Sequence, residues 1–289
     1  MYKIIENIEL IVNKTFDFIE SKWESKTFQS IMGYLLVFSF LGFLLLIELQ
    51  RQTILPTFFK NSIPINHFHA INFAFTVLLI FEVISLVFSL VKSVANSVGK
   101  QFEILSLILL RNSFKEFIYF PEPITWGNIT EPIYHIVSDS GGALIIFILL
   151  GIYYKIQKHK AITNSEEEMK RFISSKKMLS LLLLVTFVYL GISFFVDLYS
   201  GKPNLDFFST FYTILIFSDI LIVLVSLKYC HNYYVVFRNS AFALTTVFIR
   251  LALIAPPYYN VGMATFAGIF TIGVSIAYNY FHEGTKRIY

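Results

Sequence analysis

Apolar residues in this chain come in long unbroken runs, separated by short polar stretches. The clear runs are 29–49, 69–91, 136–154, 178–198, 207–227 and 261–281. A helix rises 1.5 Å per residue, so a run of about 20 residues crosses a hydrocarbon core of about 30 Å. Two shorter runs, 102–120 (FEILSLILLRNSFKEFIYF) and 239–255 (NSAFALTTVFIRLALIA), each carry an arginine. Residues 1–27 follow a different pattern. Ile4, Ile8, Ile11, Phe16, Ile19 and Trp23 recur near helical spacing with acids and lysines between them, which predicts an amphipathic helix on the membrane surface. The expected fold is all-α: a polytopic membrane protein with eight transmembrane helices and an N-terminal amphipathic helix.

Composition excludes a soluble domain. The 289 residues are 56% hydrophobic and only 15% charged, with a mean hydropathy of +0.65. Too little polar surface remains to cover a globule in water. The net charge of +4 reflects topology rather than a nucleic-acid partner. With the N-terminus inside and eight crossings, most of the 23 Lys and Arg residues fall on the inner side. These are the clusters around Lys14 to Lys26, Lys92 and Lys100, the run from Lys155 to Lys177, Lys228 and Arg238, and Lys286 and Arg287. If 102–120 did not cross, the two largest clusters would lie on opposite sides. Both termini are therefore expected in the cytoplasm, and the bilayer is the expected partner. The single cysteine, Cys230, excludes an intramolecular disulfide. No cleavable signal peptide is apparent.

The runs also repeat. GFLLLIEL (42–49) parallels GISFFVDL (191–198), matching Glu48 with Asp197. TVLLIFEVISLVFSLVK (76–92) parallels TILIFSDILIVLVSLK (213–228), matching Glu82 with Asp219 and Lys92 with Lys228. FEILSLILLR parallels FALTTVFIR, matching Arg111 with Arg250, and a proline-containing stretch follows each. The chain thus divides into the amphipathic segment 1–27, a first four-helix repeat 28–156, a charged linker 157–175 and a second four-helix repeat 176–289. Four is an even number, so the two repeats are expected to be parallel, related by an axis along the membrane normal.

The repeated charges are the candidate chemistry. A charge at the centre of a membrane helix costs roughly 2.5–3.5 kcal/mol on insertion scales, so it must face a partner or a cavity. Counting along the apolar runs places Glu82 about 20 Å from the outer boundary and Arg111 about 14 Å from the inner one. Each acid is therefore expected within reach of the arginine on the next helix: Glu82 with Arg111, Asp219 with Arg250. Two readings follow, a structural ion pair or an ion or proton pathway. Glu48 and Asp197, near outer helix ends, are either interfacial or line an outer vestibule attractive to cations. Lys92, Lys228 and Arg238 form an inner basic set. His67, His69 and His135 are read as interfacial rather than metal-binding, and Gly141 and Gly142 beside Asp139 as close-packing positions. No metal site and no cofactor is expected. The chain has no HExxH, GxSxG, Walker or dinucleotide signature, so it is not read as an enzyme.

The segment LIFSDILIVLVSLKYCHNYYVVFRNSAFALTTVFIRLALIAP resembles the phosphate-starvation-inducible E (PsiE) family of small bacterial membrane proteins. The likeness spans about residues 178–281, and the first half then reads as a diverged copy. It implies a four-helix unit with an acid in its second helix, a basic loop and an arginine in its third, positions held here by Asp219, Arg238 and Arg250. It also implies a bacterial inner membrane, with no mechanism attached. FEVISLVFSLVKSVANSVGKQFEIL is similar to the second and third helices of a voltage sensor, but 136–154 lacks the arginines that a fourth, sensing helix needs. The expected function is passage of an ion, proton or small solute. The rival is a non-transporting scaffold or stress-response sensor that binds a partner through 155–177 and the N-terminal helix. A homodimer would place four units around one axis.

Overall fold

The computed structural model describes residues 2–53, 63–157, 166–199, 207–227 and 233–285. Regular secondary structure among them is helical throughout: α1 (Tyr2–Trp23), α2 (Lys26–Arg51), α3 (Phe68–Ser89), α4 (Val94–Lys115), α5 (Thr130–Ile156), α6 (Glu166–Tyr199), α7 (Phe207–Leu227), α8 (Tyr233–Ile254) and α9 (Tyr259–Thr285), with two short 3-10 turns between α4 and α5. Seven of these, all but α1 and α4, contain stretches long and apolar enough to cross a membrane. The protein is a multi-pass, all-helical membrane protein.

Two helices start well before the apolar runs that announced them. α4 begins at Val94, eight residues ahead of 102, and α8 at Tyr233, six ahead of 239. In α4 the reason is local. Ser93 caps the helix, its Oγ accepting from the Asn96 amide at 3.3 Å. The polar first turns then bury against protein, so they need no apolar signature: Ala95, Ser97, Val98 and Gln101 are all buried. Ser25 plays the same capping part for α2.

Two apolar cores hold the bundle. One joins α4, α5, α8 and α9 through Phe102, Leu105, Leu109, Ile146, Phe242 and Ile249. The other joins α3, α4, α6 and α7 through Val83, Leu86, Ile108, Leu183, Phe211 and Leu215. α4 belongs to both. Consecutive helices pack on one another within 28–156 and within 176–285, and α5 packs on α9 and α4 on α8 across the middle. Gly142 lets α5 and α9 approach closely: a Cβ there would lie 2.6 Å from Val261 Cγ2, whereas Gly141 faces open space.

α2 is peripheral. It packs on α3, stacks Phe43 against Phe73, and leaves Tyr34, Phe38, Leu41 and Leu45 exposed, an apolar face suited to lipid. The N-terminal helix splits its apolar residues. Phe16 is fully buried, and Trp23 lies against α3: its indole N–H donates to Ser85 Oγ at 3.0 Å, and its ring sits 6.0 Å from Phe81 and 5.7 Å from Phe88. Ile11 is exposed instead, together with Leu10 and Phe18. Polar contacts fasten the same inward face: Asn13 to Ser174 (2.9 Å), Asp17 to Lys177 (2.6 Å) and Glu24 to Lys92 (3.0 Å). α1 thus docks against the lysine-bearing ends of α3 and α6, called here the basic side.

Candidate functional site: buried charges between the two halves

Asp219 lies on α7 and Arg250 on α8, and both are buried, Arg250 completely. Arg250 Nε is 3.5 Å from Asp219 Oδ2, so the structure brings the second acid and arginine together. The contact is electrostatic rather than a full hydrogen bond. Asp219 Oδ2 and all three guanidinium nitrogens of Arg250 lack a hydrogen-bond partner among the described residues. Removing each ion from water costs several kcal/mol, and the carboxylate beside the guanidinium offsets part of that cost.

The first pair is different. Glu82 and Arg111 are not joined by an ion pair, although they remain within electrostatic reach. Arg111 Nη1 donates to the Phe75 carbonyl at 3.3 Å and Nη2 to Asn112 Oδ1 at 3.2 Å. Phe75 lies seven residues, about 10 Å, along α3 from Glu82. The depth count that aligned the pair used 102 as the start of the helix. With the start at Val94, Arg111 sits about 25 Å from the basic end of α4, well above Glu82. The register is the same in the second half, so an arginine closes the gap only if its side chain turns toward the acid. Asn112 and the Phe75 carbonyl hold Arg111 away. At the position matching Asn112 the second half has Leu251, which offers no side-chain acceptor.

Two residues outside the sequence-derived set join the site. Tyr212, buried on α7, lies within electrostatic reach of Glu82, Arg111 and Arg250, and so links the two pairs. Continuing the repeat alignment matches it with Phe75, so a phenol replaces a plain ring. That replacement was the only signal available. In the sequence Lys176 is one member of the basic run from Lys155 to Lys177. It is buried on α6, and its ammonium donates to the carbonyls of Val91 (3.3 Å) and Lys92 (2.5 Å) in the α3–α4 turn. It thereby satisfies carbonyls at the negative end of α3.

Beside Asp219 and Lys176 lies a cavity of about 30 Å³, with Ser97, Gln101, Asn239 and Thr246 also among its lining. One water occupies roughly 10–15 Å³ on this measure, so there is room for about two. Three lining atoms lack a protein partner: Gln101 Oε1, Asp219 Oδ2 and Asn239 Nδ2. Two acceptors and one donor complement the hydrogen-bonding capacity of a water molecule. Chemically the site can hold water against a carboxylate inside the bundle, with a lysine and an arginine close by.

The remaining predicted residues lie apart. Glu48 accepts from Gln52 Nε2 at 2.7 Å and lies 3.2 Å from His67 Nε2; His67 Nδ1 is in turn 3.1 Å from Glu122. This cluster ties α2 to the α4–α5 connection on the side opposite the basic one. His135 similarly meets Glu116 at 3.1 Å. Lys92 pairs with Glu24 on the basic side. Arg238 is buried against Tyr278, away from Asp219. Asp139 accepts from Asn260 Nδ2 at 2.8 Å between α5 and α9. The Asp197 side chain and Lys228 lie outside the described residues.

Comparison of the chain with protein-family models, with curated proteins and with solved structures finds no match in any of them.

Proposed function

We propose that the protein conducts protons across a bacterial inner membrane, with Asp219 as the central carboxylate. The observation that carries this is the water-sized polar cavity beside Asp219, inside a bundle of apolar helices. Asp219 takes a proton from cavity water on the basic, cytoplasmic side and passes it toward Tyr212 and the opposite face. Arg250 holds the carboxylate in place between transfers, and Lys176 excludes other cations from the cavity by repulsion. Glu82 and Arg111 are the diverged counterpart.

The architecture in this reading is eight crossings in two parallel four-helix repeats, the second PsiE-like. Two features support it. α4 buries Gln101, Phe102, Leu105, Leu109 and Ser113 against protein, so its polar residues need not meet lipid. The packing order also recurs: α3–α4–α5 in one half matches α7–α8–α9 in the other, with the two third helices and the two fourth helices in contact at the centre.

Proteoliposomes carrying an internal pH dye and a potassium diffusion potential test the reading. The wild type should acidify the lumen, and Asp219→Asn should lose at least about tenfold in rate, the scale of a lost proton-transfer group. Asp219→Glu should retain flux. A wild type with no proton flux would overturn conduction. The second reading then stands: a scaffold or sensor, favoured by the α1–α6 contact on the basic side, in which the Asp219–Arg250 pair is a strut.

A further inference from the structure

Arg238 is a third buried cation, and among the described residues it has no counter-ion. It is 5% exposed, and its guanidinium carbon stacks 4.4 Å from the centre of the Tyr278 ring. Nη2 makes one long contact, 3.4 Å, with Asn239 Oδ1, while Nε donates to nothing among the described residues. No described carboxylate forms an ion pair with it. By contrast, Arg250 has Asp219, and the buried Lys176 has two carbonyls.

The guanidinium lines a second cavity, of about 10 Å³, with Ala95, Gln157, Ser275, Tyr278 and Asn279 around it. Ala95 belongs to the first turn of α4, whose free amides and dipole add positive potential. Tyr153 directs its hydroxyl to the Ala95 carbonyl at 2.8 Å, and Asn279 donates to the Ile156 carbonyl at 2.9 Å, which fixes the walls. The space admits about one oxygen atom.

Its depth identifies the source of that oxygen. Tyr233 and Tyr234, one turn before Arg238, and Tyr280 and Phe281, just beyond Tyr278, are exposed. Tyr234 stacks on Phe281. Exposed aromatics of this kind mark the boundary between headgroups and hydrocarbon. Phe237, next to Arg238 in the chain, is also exposed and offers apolar surface.

We propose that this cavity binds a phospholipid of the leaflet on the basic side, seating one anionic oxygen of its phosphodiester on Arg238. The lipid supplies the charge that the protein withholds and fastens α4, α5, α8 and α9 together at their basic ends. This site is independent of the Asp219 cavity and of whether protons pass through it.

The test uses the full chain in a neutral detergent. Thermal unfolding is followed with added short-chain phosphatidylglycerol, with phosphatidylcholine of the same chain length, and with inorganic phosphate. Phosphatidylglycerol should raise the midpoint most, phosphatidylcholine less and inorganic phosphate least. Arg238→Gln should weaken the phosphatidylglycerol response about tenfold, as expected for the loss of one charge-assisted hydrogen bond. Arg238→Lys should keep part of it. If Arg238→Gln does not fold, Ser275→Leu fills the cavity while leaving the cation, and native mass spectrometry counts the retained anionic lipid in both proteins. An equal response to inorganic phosphate would overturn the lipid source. A response unchanged in Arg238→Gln or in Ser275→Leu, or none in the wild type, would overturn the site.

Discussion

Arg111 and Arg250 hold matching positions in the two halves and end in different company. Arg250 faces a carboxylate beside a polar cavity; Arg111 faces a carbonyl and an amide, while Glu82 stands by itself. One neighbour accounts for the difference. Asn112 offers Arg111 an acceptor one residue away, and Leu251 offers Arg250 none. A buried guanidinium settles on whichever acceptor lies nearest, so an intramembrane charge is placed by its immediate surroundings as much as by the helix that carries it. The first half is thereby committed to packing, and the second retains an acid in contact with space for water.

Deleting the arginines should separate the halves most sharply. Arg250→Leu strands Asp219 in the bundle and should cost about 3–5 kcal/mol, the range for removing one partner of a buried ion pair. Arg111→Leu breaks hydrogen bonds to neutral groups and removes a cation that Glu82 meets only at a distance, and should cost about 1–3 kcal/mol. Reversible unfolding in mixed micelles measures both, and equal costs would erase the distinction. A smaller effect should come from exchanging the neighbours. In Asn112→Leu, Arg111 is released toward Glu82, and the coupling between them in a double-mutant cycle should rise from near zero to about 1 kcal/mol. Leu251→Asn should weaken the Asp219–Arg250 coupling in turn.

The smallest effect concerns α1, which the first half has and the second lacks. Burial, and then the nearby Glu24 carboxylate, raise the Glu20 carboxyl above its ordinary value of 4.5. The docked helix therefore holds that proton more tightly than the undocked one. Docking should weaken as pH rises from about 4.5 through the raised value, and then level off. Trp23 fluorescence reports docking, because its indole meets Ser85 and Phe81 only when α1 is seated. Glu20→Gln should flatten the profile; an unchanged slope would assign it to another group.

The multi-pass helical class was legible because unbroken apolar runs have one common physical cause. The acids and arginines stood out for the same reason, being rare against that background. Less legible was anything that depends on where a side chain turns. Lys176 reads as one of several lysines in the basic run from Lys155 to Lys177, and only folding shows that it buries against the turn after α3. Tyr212 is one of 17 tyrosines, distinguished only by the phenylalanine at its counterpart. The first turns of α4 were missed because residues shielded by other helices need not be apolar. His67 between Glu48 and Glu122 joins residues 19 and 55 positions away, a separation that no local pattern reports.

α6 is a continuous helix of 34 residues, about 51 Å long, against a hydrocarbon core of about 30 Å. Gly191 is its only glycine and it contains no proline, so the stretch from Glu166 to Leu190 has no built-in hinge. Lys176 lies on that rod within the stretch braced by α1, between Ser174 and Lys177. Mechanically it is a lever with its fulcrum in the bundle. Force applied at its Glu166 end would meet no joint before the ammonium that caps the turn beside the Asp219 cavity.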